Sequence, residues 1–208
     1  MKYGIQAAGL CEQEIKEIGY AMENSFFDYE YRNGQEGIRC ICPEREMMCE
    51  YLTAFVRAAH SSGLLYATSE NGEGYIIVTS KAHDLSPAAT WRFLKDCLHV
   101  LGPAGAWKMI SLSLKSGKPY TADLKKQKIP YMSLEVLCVR KEYWGQGYMR
   151  QLMNLFFELA DAEHLACYIA TDDELKVRKY VHCGTQLMRT RVMNDVFTNY
   201  CLYRPVQR

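Results

Sequence analysis

Val139-Arg140-Lys141-Glu142-Tyr143-Trp144-Gly145-Gln146-Gly147-Tyr148-Met149-Arg150 joins two stretches of different period. The residues leading into it, Tyr131 to Arg140, form a largely apolar run, as a central strand covered on both faces should. Those leading out, Tyr148 to His164, place Met149, Leu152, Met153, Phe156, Phe157 and Ala160 on the apolar stripe of an amphipathic helix. A second short apolar strand, Ala166 to Thr171, follows, so strand–helix–strand predicts a parallel crossover. The turn between carries Gly145 and Gly147. A glycine turn at a helix start presents backbone N–H groups that no helical carbonyl can use, and the helix dipole adds positive charge there. Such a site suits a phosphate or pyrophosphate, and glycine lets it approach the backbone closely. Two glycines before a helix are also ordinary loop chemistry, so the turn alone does not decide. A Walker-type loop needs Gly-Lys-Ser/Thr, whereas Gly147 is followed by Tyr148 and Met149. A dinucleotide fingerprint needs a third glycine where Arg150 stands. Neither pattern is met.

Upstream, Leu10 to Phe27 carries Ile15, Ile18, Met22 and Phe26 at helical spacing, and a turn is expected at Asn33-Gly34. Pro43 is expected at the first position of a second helix, with Met48, Tyr51, Leu52, Phe55 and Ala59 on one face and Gly63 at its end. Leu64 to Thr68 and Tyr75 to Ser80 read as strands around an Asn71-Gly72 hairpin signal. Ser86-Pro87 opens a further helix, with Trp91, Leu94, Leu98 and Leu101 expected on its apolar side and Gly102-Pro103 stopping it. Lys125-Lys126-Gln127-Lys128 reads as a solvated loop rather than a phosphate contact. Downstream, a short helix from Asp173 to His182 ends at Gly184. Strands Gln186 to Met193 and Val196 to Tyr203 turn at Asn194-Asp195. With no repeat, low-complexity segment or linker, one α/β domain over residues 1–208 is expected.

Composition narrows the function classes. The 208 residues are 49% apolar and 24% charged, and a domain of this size buries roughly 70% of its unfolded surface without staples. Lys and Arg number 25 against 24 Asp and Glu, a net charge of +1 that argues against a general nucleic-acid binder. Nine cysteines, an odd number, are scattered through segments that read as core, such as Cys49, Cys97, Cys138 and Cys167. Reduced thiols in a cytoplasmic protein are expected. Cys40-Ile41-Cys42 is too tightly spaced for the usual zinc half-site, so no metal is expected. Met1-Lys2-Tyr3-Gly4 runs into a mixed polar segment, and no apolar run approaches the ~20 residues of a bilayer span. A soluble protein without a membrane partner is expected.

From Tyr131 to Thr185 the chain resembles the GNAT superfamily of acetyl-CoA-dependent N-acetyltransferases. That family's core reads as an apolar strand ending in Val-x-Pro-Glu-Tyr-Arg-Gly-x-Gly-x-Gly, a long helix, a strand ending in Thr, and Tyr-x-x-x-Gly-Phe. The corresponding blocks here are Leu137 to Met149, Ile169-Ala170-Thr171-Asp172, and Tyr180-Val181-His182-Cys183-Gly184-Thr185. Three blocks in order and spacing are far more specific than the turn alone. Trp144 stands where Arg or Gln is usual, Met149 for Gly or Ala, Thr185 for Phe and Lys141 for Pro. Met149 still supplies its N–H, and the helical stripe turns its side chain into the core.

The resemblance implies a mixed, mainly antiparallel sheet, splayed at one point, with helices on both faces. Residues to about 130 would build the acceptor side, and 131–208 the acetyl-CoA core. The backbone of Leu137, Cys138 and Val139 would pair with the pantetheine arm of acetyl-CoA as an added strand does. The N–H groups of Gly145, Gln146, Gly147, Tyr148, Met149 and Arg150 would hold the pyrophosphate. An amide near Val139 would polarise the thioester carbonyl. Tyr180 falls where many members keep a tyrosine that protonates the departing thiolate; packing in the core is its other reading. Asp173 sits near a residue that often touches the pantetheine, and equally at an N-cap. From the residues alone, Glu135 is the candidate base: an acceptor ammonium must lose a proton, and this lone acid stands on the strand leading to the cofactor. A structural hydrogen bond is its alternative. His182 and the other histidines carry no catalytic spacing. The expected activity is acetyl transfer from acetyl-CoA to an amine, by direct attack in a ternary complex, in a monomer or homodimer. The alternative is a non-catalytic acyl-CoA-binding module of the same fold.

Overall fold

The chain places its long apolar run at the centre of a seven-stranded sheet. The computed structural model describes residues 1–31, 36–115, 119–193 and 197–207; the expected turns at Asn33-Gly34 and Asn194-Asp195 lie outside them. β4 (Tyr131–Val139) is flanked by β3 (Gly74–Ser80) and β5 (Ala166–Thr171). With β1 (Ile5–Gln6), β2 (Leu65–Ala67), β6 (Gln186–Met193) and β7 (Phe197–Arg204), the order is β1-β2-β3-β4-β5-β7-β6. Every neighbouring pair is antiparallel except β4–β5, which is parallel and joined by α5 (Tyr148–Ala162). That is the crossover expected from the sequence.

Alternation along β3 divides the core in two. Tyr75 and Ile77 face Ile15, Ile18 and Met22 of α1 (Glu12–Phe27) and Met48 and Leu52 of α2 (Arg45–Ser61). Ile76 and Val78 face Leu152, Met153 and Phe156 of α5, so helices cover both faces. α1 and α2 approach closely at Gly19, where an added Cβ would lie 2.9 Å from Thr53 Cα. Gly19→Ala should therefore cost about 1–3 kcal/mol of unfolding free energy by overpacking, read by urea denaturation. An unchanged midpoint would mean that the helices separate freely.

Several expectations are corrected. Pro43 lies before the N-cap Glu44 of α2 rather than at its first position, because Gly37–Cys40 forms a 3-10 turn that delivers the chain there. α3 (Pro87–Lys115) opens with Ser86 Oγ accepting from Ala89 N–H at 3.2 Å, as expected. Among its described side chains Ala89, Cys97 and Leu101 are buried, Leu101 as expected, while Trp91, Leu94 and Leu98 are exposed. Gly102-Pro103 ends the first helical segment as expected: Gly102 takes φ 64°, outside the helical region, and Pro103 starts a second segment that runs on to Lys115, a first position where its missing N–H costs little. Lys125 and Lys126 end α4 (Tyr120–Lys126) rather than forming a loop, though all four residues of the cluster are exposed. All nine cysteines are free thiols. Among the described residues no helix is long and apolar enough to cross a membrane.

The sheet splays on one side of β4. β5 pairs with it from Tyr131↔Ala166 to Leu134↔Ile169 and then leaves. β3 stays paired as far as Gly74↔Val139, with a bulge: Ile77 opposes Val136 and Val78 opposes Leu134, so Glu135 is the extra residue. From Glu135 to Val139 one edge of β4 is open.

Candidate active site

The register determines which backbone groups face the opening. Arg140 N–H donates to Glu73 C=O at 3.0 Å, which makes these two a hydrogen-bonded pair beside Gly74↔Val139. Counting back by two, Cys138 also turns its N–H and C=O toward β3, while Leu137 and Val139 turn theirs toward the gap. Cys138 is thus not at the open edge. Its thiol lies near Ala21 C=O on the α1 side, and burial pushes its pKa up to about 11, which favours the thiol form. The carbonyl of Val139 already accepts from Trp144 Nε1 at 2.7 Å and Ser25 Oγ at 3.2 Å. The Val139 N–H and both polar groups of Leu137 remain for a ligand.

Beyond β4, Tyr143 N–H donates to Arg140 C=O and Trp144 N–H to Lys141 C=O, closing a short 3-10 turn. Gly145 and Gly147 follow at φ 78° and 89°, a conformation open to glycine and strained for other residues. Gly147 is the N-cap of α5, and its C=O accepts from Gln151 N–H at 3.2 Å. The Gln146 N–H is taken by Tyr143 C=O at 3.4 Å. The N–H groups of Gly145, Gly147, Tyr148, Met149 and Arg150 have no backbone acceptor among the described residues. They form an anion cradle at a helix N-terminus, with the donor set that a pyrophosphate needs. Met149 packs against the core of α5 and the sheet, as its place on the stripe required. Two contacts brace the cradle: the Lys141 ammonium pairs with Asp28, the C-cap of α1, and the rings of Tyr143 and Tyr148 meet edge-on at 5.6 Å. Lys141 also holds the Asp28 carboxyl below its usual range.

A cavity of about 500 Å³ opens from the splay, with Glu135, Val136 and Leu137 on one wall and Ala170, Thr171, Asp172 and Tyr180 on another. Tyr180, on α6 (Glu174–His182), is 7% exposed; burial, then the nearby Asp172 carboxylate, pushes its phenol well above the usual range. Glu135 is exposed on the bulge and accepts from Thr79 Oγ1 at 2.8 Å. Asp173 is at the N-cap position of α6 but does not cap with its side chain: it is 3% exposed, and its carboxylate accepts from Tyr29 OH. It is therefore not on the cavity wall. The larger cavity, about 920 Å³, lies between α1, α2 and α3. Lys16, Arg57, Arg140 and Lys141 there balance Glu17, Glu50, Asp96 and Glu142, and it holds neither the open edge nor Tyr180.

The sequence did not reveal the ring-and-carboxylate cluster beside Tyr180. Tyr31 OH donates to Asp172 at 2.6 Å, and Lys176 pairs with Asp172 at 3.0 Å. The Lys176 ammonium lies 4.4 Å from the ring centre of Tyr29 and 5.1 Å from that of Tyr31. Only the Asp172–Lys176 spacing, four residues along a helix start, was a local signal.

Residues 116–184 match the profile of the Acetyltransferase (GNAT) family. Comparison with curated proteins gives no sequence match. Among solved structures, the chain is similar to a polyamine N-acetyltransferase from Drosophila melanogaster at TM-score 0.60 and 12% identity, covering 96% of this chain and 98% of that one. It is similar to an N-acetyltransferase from Staphylococcus aureus at 0.53 and 14%, covering 94% and 98%. A third similar structure, of the NatC complex bound to Gag peptide and CoA, aligns at 0.50 and 11%, covering 95% and 96%. At these identities the structures speak for the fold alone. The profile match spans residues 116–184, about a third of the chain, and falls on the strand, glycine turn and helix described above; the chain has the fold of the GNAT acetyltransferases.

Proposed function

We propose that the chain moves an acetyl group from acetyl-CoA to an amine of a small acceptor, by direct attack in a ternary complex. The observation that carries this reading is the continuity of the open β4 edge with the anion cradle. Leu137 and Val139 offer strand-pairing groups, and the unpaired N–H groups from Gly145 to Arg150 lie at the end of the same strand. A pantetheine arm with a pyrophosphate at its far end fits that sequence of donors. The Val139 N–H is the nearest amide to polarise the thioester carbonyl, a one-donor oxyanion site. Glu135 takes the ammonium proton of the acceptor through water, and the neutral nitrogen attacks. As the C–N bond forms and the C–S bond breaks, Tyr180 donates its proton toward the thiolate and regains one from the new amide nitrogen. Calorimetry with acetyl-CoA and CoA, followed by thiol release over a panel of amines, tests the reading. Binding without turnover of any amine would favour a non-catalytic acyl-CoA module, and absence of binding would reject both.

Glu135→Gln separates a base from a structural acceptor for Thr79. An exposed carboxylate competes with solvent, so its loss should lower kcat/KM at pH 7 by about threefold to tenfold, below the ~10²-fold of a sequestered general base. The variant depends on amine that is already neutral, so its rate should climb steeply toward the amine pKa near ~10 and converge with the parent. A profile parallel to the parent at every pH would return Glu135 to a structural role.

A further inference from the structure

The cavity that holds Tyr180 and Glu135 has a second half of different chemistry. Phe26 of α1, Tyr51, Leu52 and Phe55 of α2, and Phe93 of α3 line it. The ring centres of Tyr51 and Phe93 are 5.9 Å apart, and those of Phe55 and Phe93 are 5.3 Å apart. Phe26, Tyr51, Phe55 and Phe93 are all only partly buried, although their helices pack against one core. They enclose apolar space without filling it. The other half carries Glu135 and Asp172, with Lys176 as the cation on the wall among the described residues. Lys176 is already bound to Asp172 and seated on the rings of Tyr29 and Tyr31.

We propose that the acceptor is a primary amine joined by a short linker to an aromatic or similarly bulky apolar group. The ring lies among Phe26, Tyr51, Phe55 and Phe93, and the amine lies between Glu135 and Tyr180. This inference rests on the acetyl-transfer reading above and narrows its substrate. Apolar surface enters such a space favourably, and aromatic rings add edge-on contacts with one another. A polyamine would bring a second ammonium among Phe26, Phe55 and Phe93, away from Glu135 and Asp172, where ring faces alone would replace its hydration, and a peptide would bring more amides than the single Tyr51 hydroxyl of that half can pair. The acidic half attracts one cationic nitrogen, and the linker between the halves keeps that nitrogen at the β4 edge. The cavity volume falls within the ~300–1,000 Å³ of small-ligand sites, whereas a protein substrate needs an open surface.

The test compares kcat/KM for phenethylamine, propylamine and spermidine with acetyl-CoA as donor. Phenethylamine should exceed both others at least tenfold. In Phe93→Ala the phenethylamine-to-propylamine ratio should fall at least tenfold, and Phe93→Leu should restore part of it. Calorimetry on the same variants should return the parent's acetyl-CoA affinity, since Phe93 stands on α3 and supplies none of the backbone groups of the strand edge or the cradle. If propylamine or spermidine is acetylated as well as phenethylamine, this acceptor class is overturned while acetyl transfer stands. If octanoyl-CoA is preferred as donor and Phe93→Ala removes that preference, the apolar half houses the acyl chain and the proposal is likewise overturned. If acetyl-CoA fails to bind and no amine reacts, the acetyl-transfer reading falls, and this inference falls with it.

Discussion

Replacing Gly147 by valine should weaken CoA binding at least tenfold, about 1.4 kcal/mol, in a protein that still folds. The protein itself leaves room for the side chain: no atom lies within 4 Å of where a Cβ at Gly147 would stand. The cost is torsional. At φ 89° a β-branched residue is strongly disfavoured, so valine relaxes the turn toward negative φ. That rotation swings the peptide units around the N-cap and disperses the N–H groups of Gly147, Tyr148 and Met149, which are useful to an anion only while they converge. Any residual cradle would then meet the branched side chain. The core of α5 is built from Leu152, Met153 and Phe156, beyond this turn, so the fold should persist. Calorimetry with CoA, and with dephospho-CoA as a check on the terminal phosphate, reads the effect, and a thermal melt confirms folding. Unchanged affinity in a folded variant would mean that the pyrophosphate is held elsewhere.

What was legible in the sequence is what short-range pattern controls. The β4–α5–β5 unit announced itself because an unbroken apolar strand, two glycines and a 3.6-residue stripe each impose a local conformation. α3 misled because apolar residues occupy two of its faces. Trp91, Leu94, Leu98 and Leu101 repeat at helical spacing, but Ala89, Phe93 and Cys97 also line up with Leu101, and packing against α2 selected that second row, so that of the expected face only Leu101 is buried. The bulge at Glu135 had no local signature either. It comes from a slip between β3 and β4, and it is what sets this carboxylate at the mouth of the splay. The Tyr29–Asp173 and Tyr31–Asp172 bonds join residues about 140 positions apart, beyond any window of periodicity. Asp173 shows the consequence. The motif suggested a ligand contact or a helix cap, and a distant tyrosine took its carboxylate instead. Similarly, Lys141 replaces a turn proline without visible reason until Asp28 is seen across from it, joining the cradle to the end of α1.

Tyr180→Phe should lower kcat by about 10²-fold and leave acetyl-CoA affinity nearly unchanged. The hydroxyl matters only as the C–S bond breaks, so its removal should appear in kcat rather than in ground-state binding. General acid catalysis is worth ~10²–10⁴-fold, and the environment of Tyr180 places it at the low end. Burial and the Asp172 carboxylate hold the phenol above its ordinary range, whereas a thiol ordinarily titrates near ~8.5. Full proton transfer to the thiolate is therefore uphill, and the hydroxyl acts chiefly by donating a hydrogen bond to charge developing on sulfur. Completion requires the proton released from the attacking nitrogen. The same burial has a pH consequence with a definite sign. A group that must stay protonated loses function as pH rises through its pKa, and here that pKa lies above the ordinary ~10. The parent enzyme should show no falling alkaline limb below pH ~10, and Tyr180→Phe should not create one. Full kcat in the variant, measured with an accepted amine, would return Tyr180 to a packing role beside Val177 and Ile169. Loss of acetyl-CoA affinity instead would make it a contact to the bound thioester.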